Sequence, residues 1–137
     1  MPNLKMHCIS LNPNHLNIIK KLDYIPVGLG DSSFSQSWLT DKTDYNINSK
    51  NKYYGEYTFH YWLWKNNKLD FNGWIGFCQY RKFWKKNSTN FTDNKFELFE
   101  NLLLKEIPES FNEYDSIIGE NFFVNQFRFS KFIKHNF

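Results

Sequence analysis

The sequence predicts an α/β domain built on an open, mostly parallel sheet flanked by helices. Three observations point there. A short apolar run, a capped stretch of helical periodicity and a second short apolar run succeed one another within the first 28 residues, which is the opening of a βαβ unit. Trp74–Tyr80 is continuously apolar rather than alternating, the pattern of a strand covered on both faces in a parallel sheet. Phe96, Phe99, Leu102 and Leu103 recur at helical spacing beside Lys95, Glu97, Glu100 and Lys105, an amphipathic helix.

Taken in order, Lys5–Leu11 reads as a first strand stopped by Asn12-Pro13. Asn12 or Asn14 can cap the helix that buries Leu16, Ile18, Ile19 and Leu22. Tyr24–Gly28 is the second strand. Pro26 lacks a ladder donor, so this strand lies near an edge or pairs near an end. Gly28–Ser33 is rich in small residues and reads as an ordinary turn, because a lone Gly-x-Gly is weak evidence for a phosphate loop. Residues 34–46 are polar and irregular, a loop over a sheet edge that carries Trp38.

Tyr53–Lys65 favours strand by aromatic content, but it is long for one, and Asn48, Ser49 and Asn51 supply caps. It reads as one helix, with Tyr54, Tyr57, Tyr61 and Trp64 on one face and Glu56, His60 and Leu63 on another. Apolar residues occur nearly all round, which predicts a central, mostly buried helix with Trp62 and Trp64 in the core. Leu69–Gly73 turns into the Trp74–Tyr80 strand, and Lys85–Asp93 is a polar linker. The amphipathic helix is expected to stop at Pro108, and Tyr114–Gly119 reads as a further strand. Residues 121–137 hold six phenylalanines among basic residues and show no end signal. The expectation is a single domain, 1–137, truncated at its C-terminus.

Composition narrows the function. A net charge of +3 suits an anionic small ligand or an acidic membrane surface and falls short of a dense nucleic-acid stripe, so no nucleic-acid partner is expected. The basic residues are nearly all lysine, which makes Arg81 and Arg128 stand out; Arg offers the planar fork suited to phosphate. Cys8 and Cys78 lie far apart in apolar runs and read as buried free thiols. No apolar h-region opens the chain and no run of about eighteen apolar residues could span a bilayer, so a cytoplasmic location is expected.

Aromatic and polar groups concentrate between Asn46 and Lys86, and there the sequence resembles a family. Asn46-Ile47, Lys50-Asn51, Tyr54, Glu56, Thr58, Tyr61-Trp62, Trp64, Lys65 and Asn66 form one motif, and Ile75-Gly76, Cys78, Tyr80-Arg81 and Phe83 a second. Together they resemble the DUF4422-type bacterial capsular and exopolysaccharide proteins, regarded as glycosyltransferases. Gln79 stands where that family usually has His, Lys82 where it has a second Arg, and Gly55 precedes the Glu. The close match covers Asn46–Trp84, and the family's C-terminal third would be missing.

The resemblance implies a GT-A-like fold and a transferase moving sugar from a nucleotide-sugar donor to a saccharide or lipid-linked saccharide acceptor in surface polysaccharide synthesis, with peripheral contact at the inner membrane face. The alternative is a non-catalytic carbohydrate- or nucleotide-binding remnant, which the loss of His at Gln79 and the short chain favour. Most GT-A enzymes end a strand in D-x-D to hold a metal; this strand ends in Gln79, Tyr80, Arg81 and Lys82. Asp41 and Asp44 come near that spacing but lie in a loop with no preceding strand. No metal ligands are assigned and no cofactor is expected, with Mg²⁺ or Mn²⁺ left open. Arg81 and Lys82 would neutralise the departing diphosphate.

Glu56 is the candidate catalytic carboxylate, weighed against a simple pairing with His60 one helical turn on. Tyr54 and Tyr80 are candidates to stack on or hydrogen-bond the donor. Asn46 and Asn51 can bind the donor or cap the helix, and Gln79 can keep a hydrogen bond without transferring a proton.

Overall fold

The computed structural model of the chain describes residues 3–70, 72–86 and 96–119. Its centre is β1 (Leu4–Ser10), in which Met6, His7, Cys8, Ile9 and Ser10 are all buried. A strand buried on both faces must be paired on both edges, and β1 is. It pairs in parallel with β2 (Ile25–Gly28) on one side and β4 (Trp74–Gln79) on the other. A two-residue strand, β3 (Leu39–Thr40), adds to β2 and gives the order β3-β2-β1-β4, parallel throughout. The predicted α/β class with a parallel sheet holds.

Between β1 and β2, Asn12 accepts from the Asn14 amide and starts a 3-10 turn at Pro13–His15 that runs into α1 (Leu16–Lys21). Pro26 sits outside the β3 ladder, which begins at Val27, so its missing donor costs no pairing on that side. The loop over the sheet edge contributes β3, which the sequence reading left as irregular, and Trp38 just before it is buried.

Successive residues of β1 point to opposite faces and feed two cores. Met6 and Cys8 join Ile19, Leu22, Tyr24, Trp38, Cys78, Leu103 and Leu104 on the face covered by α1. Ile9 joins Val27, Leu29, Phe59, Trp62 and Leu63 on the face covered by α3 (Tyr57–Lys65). Phe59 is wholly buried, and cutting it to alanine would cost about 3–5 kcal/mol. Cys8 and Cys78 face each other across the β1–β4 register as free, buried thiols.

Several expectations change. The Tyr53–Lys65 helix is two helices, because Gly55 takes φ +54° and ψ −132° between α2 (Asn51–Tyr54) and α3. Nor is it buried all round: Thr58, Phe59, Trp62 and Leu63 face the sheet, whereas Tyr54, Tyr57 and Trp64 are exposed. Trp62 is core as expected; Trp64 is not. The strand β4 is only half covered from Trp74 to Phe77, since it is paired on one edge alone among the described residues.

The helix α4 (Phe96–Leu102) ends well before Pro108. Leu103 and Leu104 are drawn into extended pairing with residues 84–86: Lys86 N donates to Leu102 O and Leu104 N to Trp84 O, each at 2.9 Å. Pro108 instead caps a 3-10 turn at Glu109–Phe111. Tyr114–Gly119 forms no strand. It joins no strand among the described residues; Tyr114 N donates to Phe111 O at 3.0 Å in a turn, and Tyr114 and Ile118 are exposed. The phenylalanine-rich stretch 121–137 and the core of the polar linker lie outside the described residues.

Candidate functional site

Three parallel strands deliver their carboxyl ends to one place. The ladders run on past β1 and β4, with Leu29 N donating to Ser10 O at 3.1 Å and Tyr80 N to Ile9 O at 2.9 Å. Beyond these ends opens a cleft of about 670 Å³. Open parallel sheets hold ligands at this end of their strands.

The β1 side of the cleft is built by Ser10, Asn12 and His15. Ser10 Oγ and His15 Nδ1 lie 2.8 Å apart, and Ser10 Oγ accepts from Asn12 N at 3.0 Å. Thus fixed, the His15 ring stacks on Tyr80 with centroids 3.5 Å apart and planes inclined by 15°. The β4 side supplies Gln79, Tyr80 and Arg81.

The third wall comes from the break at Gly55. Asn51 Nδ2 donates to Gly55 O at 2.9 Å and to Thr58 Oγ1 at 3.0 Å, which ties α2 to the first turn of α3. Glu56 follows immediately, half-buried, and its Oε1 accepts from Gln79 Nε2 at 3.0 Å. Lys52 and Arg81 are the cations of the cleft and Glu56 is its one carboxylate among the described residues.

Glu56, Gln79 and Ile9 also line a second, smaller cavity of about 340 Å³ with His60, Lys82 and Trp84. The Glu56–Gln79 contact therefore stands between two spaces. Glu56 and His60 are joined by the helical bond from His60 N to Glu56 O at 3.3 Å, but the Glu56 carboxylate does not hydrogen-bond the His60 ring. It acts on it through charge: burial holds His60 below the ordinary histidine range, opposed by the Glu56 carboxylate. His60 Nε2 is buried without a partner.

The structure therefore brings Asn51, Glu56, Gln79, Tyr80 and Arg81 to one cleft and places Lys82 in the cavity beside it. Asn46 and Tyr54 line neither. Asn46 Oδ1 accepts from Asn48 N at 3.2 Å and its Nδ2 donates to Asp44 O at 3.0 Å, a turn that starts the 3-10 segment Asn48–Lys50. Tyr54 lies on the outer face. Ser10, His15 and Lys52 escaped the sequence reading. The parallel register of β1 with β4 sets Ser10 and His15 opposite Tyr80 and Arg81, their sole local signal being polar residues after an apolar strand, whereas Lys52 reaches the cleft from α2.

Carboxylates that could hold a divalent ion do not converge here. Asp41 follows β3, a strand the sequence reading did not assign, but it is fully buried, with Oδ1 accepting from Asn48 Nδ2 at 2.8 Å and Oδ2 unpartnered. Asp44 pairs with Lys68 at 3.5 Å. Among the described residues no three His, Cys, Asp or Glu side chains group as metal ligands, and no helix is long and apolar enough to cross a membrane.

Residues 11–136 match the model of a family described as a domain of unknown function, DUF4422. No curated protein and no solved structure matches the chain.

Proposed function

The chain belongs to the DUF4422 family, and from that premise we propose that it is a glycosyltransferase with a GT-A-like fold, moving a sugar from a nucleoside diphosphate sugar to a saccharide or lipid-linked saccharide in surface polysaccharide synthesis. The observation that carries this reading is the cleft at the strand ends, where two cations, Lys52 and Arg81, face one oriented carboxylate, Glu56.

In this reading the diphosphate lies against Arg81 and Lys52. Arg81 can grip two phosphate oxygens at once, and Lys52 adds a point charge from the opposite wall. The acceptor hydroxyl attacks the anomeric carbon, the bond from that carbon to the phosphate oxygen breaks, and the electron pair leaves on the nucleoside diphosphate. Glu56 takes the hydroxyl proton. Gln79 holds one of its oxygens and leaves the other for the acceptor. Gln79 donates without exchanging protons, so it orients the base and does not compete with it. The stacked His15–Tyr80 pair stiffens the wall opposite α2.

Lys52 and Arg81 put two positive charges beside Glu56, the cleft's one carboxylate among the described residues, and like charge disfavours a divalent cation there. Charge neutralisation by Arg81 and Lys52 takes that place in the proposed reaction. A second reading, a non-catalytic binding domain, draws on Glu56, the cleft's one carboxylate among the described residues, being engaged by an amide. Release of nucleoside diphosphate from UDP- and GDP-sugars in the presence of lipid-linked saccharides tests the two. Turnover supports the transferase; tight binding without turnover supports the binding domain.

A further inference from the structure

Lys82 and Arg81 are neighbours in sequence and part company in the structure. Arg81 lines the cleft at the strand ends, while Lys82 lines the cavity of about 340 Å³ on the other side of the Glu56–Gln79 contact. Lys82 N donates to Gln79 O at 2.8 Å, which closes a turn directly after β4. The Lys82 side chain is exposed and forms no ion pair among the described residues, so its ammonium is available to an anion.

The rest of the cavity is mainly rings. Phe77, Phe83 and Trp84 line it, and Trp84 Nε1 donates to Phe77 O at 2.8 Å, which fixes the indole and uses its one donor. His60 packs on Phe77 with centroids 4.6 Å apart, its Nε2 is buried without a partner, and burial favours its neutral form. Lys82 is therefore the one cation lining the cavity among the described residues. Aromatic walls, few polar groups and this volume match a small-molecule site.

We infer that this cavity seats the reacting residue of an acidic acceptor saccharide. The sugar ring lies on the aromatic wall, its carboxylate pairs with Lys82, and a hydroxyl faces Glu56. The role as acceptor rests on the transferase reading; the preference for an acidic sugar rests on the cavity alone. A neutral sugar is held through several hydroxyls, but here Glu56 and Gln79 engage each other and the indole donor is taken. A phosphate would set more negative charge beside the Glu56 carboxylate than one ammonium offsets.

The test is calorimetric titration of the full chain with the methyl glycosides of glucuronate and galacturonate, each beside its neutral counterpart, methyl glucoside or methyl galactoside. Each titration is run with and without saturating UDP. At least one uronide is expected to bind about tenfold more tightly than its neutral counterpart, with UDP present as without it. Lys82→Met, at an exposed position, should abolish that preference and leave the thermal melt in place; should it lose its fold, Lys82→Gln supplies the same comparison. Uronides that bind no tighter than neutral glycosides, an undiminished preference in the folded variant, or displacement of the uronide by UDP would overturn the proposal. A chain that prefers a uronide but does not bind UDP would count against the donor cleft and still support this cavity.

Discussion

Gln79 Nε2 donates to Glu56 Oε1 at 3.0 Å, joining the last residue of β4 to the residue that opens α3. The two lie far apart in sequence and come from the opposite sides of a helix-on-sheet contact. Glu56→Gln should reduce sugar transfer by about 10²–10⁴-fold, the usual range for loss of a positioned base, with the thermal melt little changed. Gln79→Ala should lower kcat less and leave donor affinity in place, because it frees the carboxylate without removing it. Near-normal turnover by Glu56→Gln would exclude the proposed base.

The backbone at Gly55 sets where Glu56 stands. Its φ of +54° with ψ −132° belongs to glycine, although nothing lies within 4 Å of an added Cβ. Gly55→Ala should therefore cost about 1–3 kcal/mol through backbone strain rather than through a clash. Chemical denaturation reads the loss directly; an unchanged midpoint would mean that the helix break tolerates a side chain.

A buried imidazole, His7, and a half-buried one, His60, make the fold sensitive to acid. Burial holds His7 below the ordinary histidine value of about 6.5, against its contact with the Gly76 carbonyl, and does the same for His60. The unfolded chain then takes up protons before the folded one. Stability is at its full value above about pH 6.5 and falls as pH drops below it towards the folded values. Melting temperature should decline between pH 7 and pH 5. His60→Phe should flatten part of that slope, since Nε2 has no partner to lose and the ring sits 4.6 Å from Phe77. An identical slope in the variant would assign the acid sensitivity elsewhere.

How much of this was legible can be traced residue by residue. The β1–α1–β2 opening followed from an apolar run, an Asn-Pro cap and a second run, each a local signal. The helix break did not, although Gly55 was visible, because strong helical spacing on both sides masked one residue of special backbone. The outer aromatic face was misread for a related reason. Periodicity shows which residues share a face, but rings all round a helix do not say which face meets the sheet. The Tyr114–Gly119 strand failed because β-propensity cannot create a partner edge. For the site, the strand end at Gln79–Arg81 was readable from the sequence. Ser10 and His15 needed the sheet register, and Lys52 needed the packing of α2 beside the strand ends.

Charge neutralisation by protein cations predicts indifference to chelation. Nucleoside diphosphate release should persist in excess EDTA at the rate seen without it. Complete loss restored by Mg²⁺ or Mn²⁺ would replace Arg81 and Lys52 with an ion as the main stabiliser of the leaving group.

The most direct test is calorimetric titration of the wild-type chain and Arg81→Ala with UDP- and GDP-sugars. Micromolar binding of at least one donor is expected. Loss of the Arg81 hydrogen bonds to phosphate should weaken it by about 1.5–3 kcal/mol, roughly tenfold to a hundredfold or more in Kd. No binding of any nucleoside diphosphate sugar, or equal binding by Arg81→Ala, would contradict the assignment of this cleft.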